Sequence, residues 1–239
     1  LAGFETIMKL HSASLISEPQ STWGVTKGNP VHDEIRQIAN QTGVDFSVDV
    51  TINSNKEITS IHAGDLFAVH EMASVVSKTA SMQSVNHTFD VVVTSNSGYP
   101  LDLNLYQSIK GISAASKILK EGGTIICAAE CRDGIPNHGQ YRHILKSRKS
   151  PKELLEMITS KDYNQHDQWQ VQIQAQIQMK SRVYLKSSYL SDDQIRSAHL
   201  EPVDIIEDTI AEALGRAGQH ATLCVLPDGP QTIPYLIST

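Results

Sequence analysis

Apolar residues recur every second position in some stretches of the chain and every third or fourth in others, and the order of these stretches predicts the fold. VDFSVDVTI at 44–52 alternates as a strand does, NSNKE reads as a turn, and ITSIHA at 58–63 completes a hairpin. GNPVHDEIRQIANQTG at 28–43 reads as a helix with marked ends. Pro30 suits the first turn, Asp33 and Glu34 suit the positive end of the helix dipole, and Gly43 closes it. From Gly64 onward, GDLFAVHEMASVVSKTAS has helical spacing, with Leu66, Val69, Met72, Val75 and Val76 on one face. A short helix is expected over 4–15.

FDVVVTS at 89–95 is a continuous apolar run, the pattern of a strand covered on both faces. A helix is expected over 103–120, then a strand in EGGTIICAAEC after a Gly-rich turn, and a helix in PKELLEMITS. An amphipathic helix over 203–218 ends at Gly218, and ATLCVLP at 221–227 reads as a last buried strand. QWQVQIQAQIQMKS at 168–181 alternates strictly, yet Gln, Ala and Met have little β preference, so a helix is expected there. Strands alternating with helices predict an α/β fold: a mostly parallel, Rossmann-like sheet flanked by helices, with the hairpin as its antiparallel exception.

Composition narrows the function classes. The 239 residues are 40% hydrophobic and 19% charged, enough to bury a real core. A net charge of −6 without a basic stripe argues against nucleic acid as a partner. The densest basic run, KSRKSPK at 146–152, reads as a solvated loop. No apolar run reaches the roughly 18 residues of a membrane helix. The opening LAGFETIMKLH lacks the pattern of a signal peptide, and the three cysteines form no disulfide framework, so a cytoplasmic setting is expected. Cys127 and Cys131 are four apart without a matching second pair, which favours buried thiols over a metal site.

Nucleotide-binding glycine motifs, zinc-peptidase motifs and the serine-hydrolase elbow are all absent. His32, His62, His70 and His199 lie in helix or strand contexts, whereas His138 and His143 lie in a loop after a strand end. The stretch NSGYPLDLNLYQSIKG at 96–111 follows the strand at 89–95 and opens a helix, the location where open α/β sheets bind ligands. Gly98 and Pro100 shape the turn. Tyr106, Gln107 and Lys110 are neighbours at helical spacing, and their phenol, amide and ammonium suit a small carboxylate. On spacing alone the same residues also read as an ordinary solvated first turn.

The ordered series GFETIMKLH, GNPVHDEI, HAGD, DVVVTSNSGYPLDLNLYQSIKG, EGGTIICAAEC followed by DG, and VLPDGPQTIPY resembles the nickel-pincer lactate racemase family. The match runs from near residue 1 to near residue 239 and is to the carboxyl-terminal part of that family. Residues 1–27 then form a segment joining an amino-terminal domain of the same protein, and 28–239 a carboxyl-terminal α/β domain.

The resemblance implies racemisation of a small, lactate-like 2-hydroxy acid. Nickel, held in a sulfur-containing pyridinium mononucleotide, takes hydride from the hydroxyl-bearing carbon and returns it to either face. Two histidines exchange the hydroxyl proton. In the family those histidines and the cofactor-tethering lysine lie upstream of the GFETI block, so this chain alone is expected to be inactive. His11 matches the nickel-ligating histidine and would touch the cofactor; without the resemblance it reads as a helix-end histidine. Gln107 and Lys110 fall on positions that contact the substrate, with Tyr106 beside them, and Lys110 would favour negative charge on the substrate oxygen. Trp169 matches an aromatic residue bordering the pocket, and reads equally as core packing. SNSG stands where many members have a second glycine. Alternatives are a member acting on another 2-hydroxy acid, a non-catalytic ligand-binding α/β domain, and a pyridine-nucleotide dehydrogenase domain.

Overall fold

The computed structural model describes residues 3–237. Along the chain these form α1 (Phe4–Leu10), α2 (Ala13–Ser17), α3 (Pro30–Thr42), β1 (Ser47–Ile52), β2 (Ile58–Gly64), α4 (Leu66–Ser81), β3 (Met82–Val85) and β4 (Phe89–Ser95). They continue as α5 (Leu105–Ser116), β5 (Leu119–Ala128), α6 (Tyr141–Lys146), α7 (Pro151–Ile158) and α8 (Gln168–Gln178). The last elements are β6 (Arg182–Lys186), α9 (Asp192–Ser197), β7 (Glu201–Pro202), α10 (Ile206–Ala217), β8 (Leu223–Leu226) and β9 (Ile233–Leu236). They divide into two compact units, Ser17–Met82 and the remainder, so the segment up to Ile16 packs with the carboxyl-terminal unit.

The larger unit is a five-stranded parallel sheet in the order β7-β6-β5-β4-β8. As the unbroken apolar runs predict, its central strands are covered on both faces. Val92, Ile125 and Cys127 face a core shared with α5–α9, while Val91 and Ile126 face the cluster under α10. The hairpin is also found: β1 and β2 pair antiparallel, with Val50 opposite Ile61. The caps follow the sequence logic. The Asn29 side chain accepts from Val31 N and His32 N ahead of Pro30, and Asp65 does the same for Phe67 N and Ala68 N at the start of α4.

Three expectations need correction. The helix expected over 4–15 breaks at His11–Ser12 into α1 and α2. The helix expected over 103–120 stops at Ser116, because Leu119 already pairs with Phe89 at the start of β5. Met72 and Val75, expected on a core-facing stripe of α4, are exposed.

Close approach fixes the seat of α5. A Cβ on Gly111 would run into the backbone oxygen of Ser95. Gly111→Ala should therefore destabilise the larger unit by about 1–3 kcal/mol, read as a lower denaturation midpoint. An unchanged midpoint would mean that α5 moves aside freely.

At the other end of the sheet, Asp90 Oδ2 accepts from Lys120 Nζ, Thr222 N and Thr222 Oγ1, each at 2.8 Å. These bonds, that of Lys120 first, hold its carboxyl at about 2, below the ordinary 3.8. A depressed carboxylate stabilises the fold above its unfolded value and stops doing so as pH falls through its folded value. The loss thus belongs to the window from about pH 4 to about pH 2. Asp90→Asn should flatten the fall in urea midpoint across that window by the equivalent of about 1–2 kcal/mol; the half-exposed Lys120 keeps the figure small. An unaltered pH profile would remove Asp90 from acid stability.

Candidate active site

The site is built where β4 ends. Asn96 is buried just past the strand. Its Oδ1 accepts from Gly111 N at 2.8 Å and its Nδ2 donates to Leu101 O, so one side chain ties the turn to α5. Ser97 and Gly98 both take positive φ, 59° and 67°. The turn therefore uses the left-handed region twice, with serine in one of the two places. Buried Asp102 accepts from Glu130 N at 2.8 Å, and Cys131 N and Asp133 N donate to Asp102 O and Leu103 O. The turn after β4 and the loop after β5 are thus one hydrogen-bonded body. Asn104 Oδ1 accepts from Gln107 N at 3.1 Å and starts α5.

On α5, Tyr106 and Gln107 are half-buried, and Lys110, one turn on from Tyr106, is exposed. Neither the Gln107 amide nor the Lys110 ammonium is hydrogen-bonded to any described residue, so both are available to a ligand. Tyr106 is held from the far side. Trp169 Nε1 donates to its hydroxyl at 2.8 Å, Gln170 Nε2 donates to its backbone oxygen at 2.7 Å, and the Tyr141 ring meets it edge-on at 5.2 Å. An indole N–H only donates, so the phenol oxygen accepts here and keeps its own proton for another acceptor. Burial, and then the Asp167 charge, push the Tyr106 phenol up, with the Trp169 bond opposing, so the hydroxyl stays protonated at neutral pH.

Trp169 brings His11 into the same group. Their ring centroids are 4.6 Å apart, and the other flank of Trp169 meets His166, which stacks in turn on Phe4. Trp169 is buried, so it both packs the interior and borders this cluster. His11 Nδ1 lies 2.9 Å from Ile7 O. A carbonyl only accepts, so Nδ1 carries a proton, and in the neutral ring Nε2 is the nitrogen with the lone pair, the form in which imidazole binds a metal ion. Among the described residues no three His, Cys, Asp or Glu side chains converge as a metal cage, so His11 offers a single donor.

The structure thus brings His11, Trp169 and Tyr106 into contact, with Gln107 and Lys110 on the same helix as Tyr106. Sequence reasoning passed over Asn96, Asp102, Gln170, His166 and Asp167. Asp167 has φ 67° and accepts from Gln140 N at 2.9 Å, and Gly139 leaves the space its carboxylate fills. Cys127 and Cys131 are buried, and burial raises both thiols. His138 and His143 are exposed. A separate open groove of about 600 Å³ runs beside α1 past Met8, Lys9 and Lys161, and none of the five predicted site residues lines it. No helix among the described residues is long and apolar enough to cross a membrane.

Residues 84–233 match the family model of the lactate racemase C-terminal domain. The chain belongs to the lactate racemase C-terminal domain family. It is 34% identical over 232 residues to the lactate racemase of Lactiplantibacillus plantarum, a match covering 96% of this chain and 54% of the relative. To the lactate racemase of Thermoanaerobacterium thermosaccharolyticum it is 31% identical, over 98% of this chain and 55% of the relative. The chain therefore spans about half the length of the lactate racemases it matches. The solved lactate racemase apoprotein from the latter organism superposes with a TM-score of 0.89 at 29% identity, over 95% of this chain and 55% of the other. A Thermotoga maritima protein shares the fold alone, with a TM-score of 0.56 at 12% identity. The α/β fold expected for a lactate racemase C-terminal domain is the one observed.

Proposed function

We propose that this chain is the carboxyl-terminal part of a racemase acting on a small 2-hydroxy acid, lactate by default, and that it supplies one wall of the active site. The observation that carries the reading is the contact chain from His11 through Trp169 to Tyr106. It joins a histidine with a free Nε2 lone pair to a helix start whose phenol, amide and ammonium are free to bind a carboxylate.

Lys110 would neutralise the substrate carboxylate or a developing negative oxygen, and Gln107 would hold its orientation by donating from its amide. Tyr106, kept protonated, would donate its free hydroxyl hydrogen to a substrate oxygen. Buried Trp169 would keep water from that side of the reacting carbon. His11 Nε2 suits nickel, a metal that imidazole binds well, and the Ile7 carbonyl fixes the ring for that role. The chemistry expected of the nickel-pincer cofactor when bound is acceptance and return of hydride at the hydroxyl-bearing carbon. Exchange of the hydroxyl proton is expected from histidines of the amino-terminal domain.

Joined to the matching amino-terminal domain and matured cofactor, the chain should interconvert D- and L-lactate; alone it should not, because the proton-exchanging groups and the tether lie elsewhere. Absence of exchange on lactate and on a panel of other 2-hydroxy acids by the joined protein would leave a ligand-binding domain without chemistry.

A further inference from the structure

The unit Ser17–Met82 is built inside out. In the β1–β2 ribbon the paired residues Val48 and Ala63, Val50 and Ile61, and Ile52 and Ile58 share one side. That side is open: Val48, Val50, Ile52, Ile58 and Ile61 are between 48% and 64% exposed. The opposite side carries Ser47, Asp49, Thr51, Ser60 and His62 and is the half-buried one. It is laced by hydrogen bonds from Thr51 to Ser60 at 2.7 Å and from Ser60 to His62 Nε2 at 3.0 Å. A sheet with one dry and one wet side orders these residues the other way round. The helices repeat the pattern, since Ile35 and Ile38 on α3 and Met72 and Val75 on α4 are exposed. Between residues 17 and 82 only Val69 is a buried apolar side chain. A unit of this size without a core needs a partner surface, and an apolar patch of this extent marks one.

The comparisons point to the occupant. The C-terminal domain model begins at residue 84, just past this unit. The matches to lactate racemases nevertheless take in 96% and 98% of the chain, while covering only 54% and 55% of those proteins. The unit thus belongs to the matched enzymes but lies outside their carboxyl-terminal domain model, and nearly half of each enzyme is sequence this chain does not contain. We infer that the open side of the β1–β2 ribbon is the docking face for the amino-terminal part of the full-length enzyme. Residues 17–82 then complete the core of that part. The inference rests on the proposed function only for the identity of the partner.

The test is amide hydrogen exchange on the 239-residue chain and on the same chain with the amino-terminal part of a full-length relative fused ahead of it. Fusion should slow exchange in β1 and β2 at least tenfold and leave β4 and β5 unchanged. Val50→Thr with Ile61→Thr, which keeps strand-forming side chains but removes apolar surface, should cancel the gain. Equal exchange in β1 and β2 with and without fusion overturns the inference. So does protection in the unfused chain that vanishes as a dimer dissociates on dilution, since a second copy is then the occupant. Racemisation is read separately on the fused protein. Protection without turnover leaves the docking face standing and defeats the racemase reading; turnover without protection does the reverse.

Discussion

Lys110→Ala in the complete, cofactor-loaded protein should lower kcat/KM by roughly 10- to 150-fold, the equivalent of about 1.5–3 kcal/mol for one hydrogen bond to a charged group. Lys110 is exposed and bonded to no described residue, so its loss should move the unfolding midpoint by less than about 0.5 kcal/mol. Catalysis and stability are therefore separable at this position. Lys110→Arg keeps the charge but changes its shape, and should recover only part of the loss. Steady-state kinetics with both lactate isomers checks the prediction, and an undiminished kcat/KM would take Lys110 out of the site.

His11→Ala should act on metal retention before anything else. A carbonyl that merely orients a ligating histidine is worth about 10- to 100-fold in metal affinity, so deleting the histidine should weaken nickel binding at least that much. Nickel content after dialysis of the loaded protein gives the readout without reference to turnover. The variant should still fold, because the one hydrogen bond the His11 side chain makes to a described residue, to Ile7 O, sits at the end of a short helix, and Trp169 keeps its bond to Tyr106. Full nickel content in the variant would return His11 to the role of a helix-end residue.

The parallel sheet was legible because FDVVVTS and TIICA are apolar without a break, as strands covered on both faces must be. Helix α8 was nearly misread for a physical reason. Its glutamines are not a solvent face: Gln170, Gln172, Gln174 and Gln178 reach the backbone oxygens of Tyr106, Ala13, Ala198 and His199. When polar side chains are buried to satisfy carbonyls, the polar–apolar pattern no longer reports which face is wet. Strand β6 escaped notice because five residues, RVYLK, directly follow that ambiguous helix. The hairpin's alternation was read correctly, but alternation cannot say that the apolar side is the open one. At the site, Tyr106, Gln107 and Lys110 could be singled out from spacing, while His11 and Trp169 needed the family resemblance. Their contact joins residues more than 150 positions apart, which no local pattern encodes.

Strand β8 lies beside β4, yet their linking bonds join residues 132 positions apart, Asp90 to Thr222 and Thr94 to Leu226. During synthesis β4 leaves the ribosome long before its edge partner exists. Until β8 emerges, one flank of this central strand offers bare backbone donors and acceptors to any passing chain. Slow, late closure of the sheet is thus written into its strand order, and production at reduced temperature or with chaperones at hand should favour the folded product.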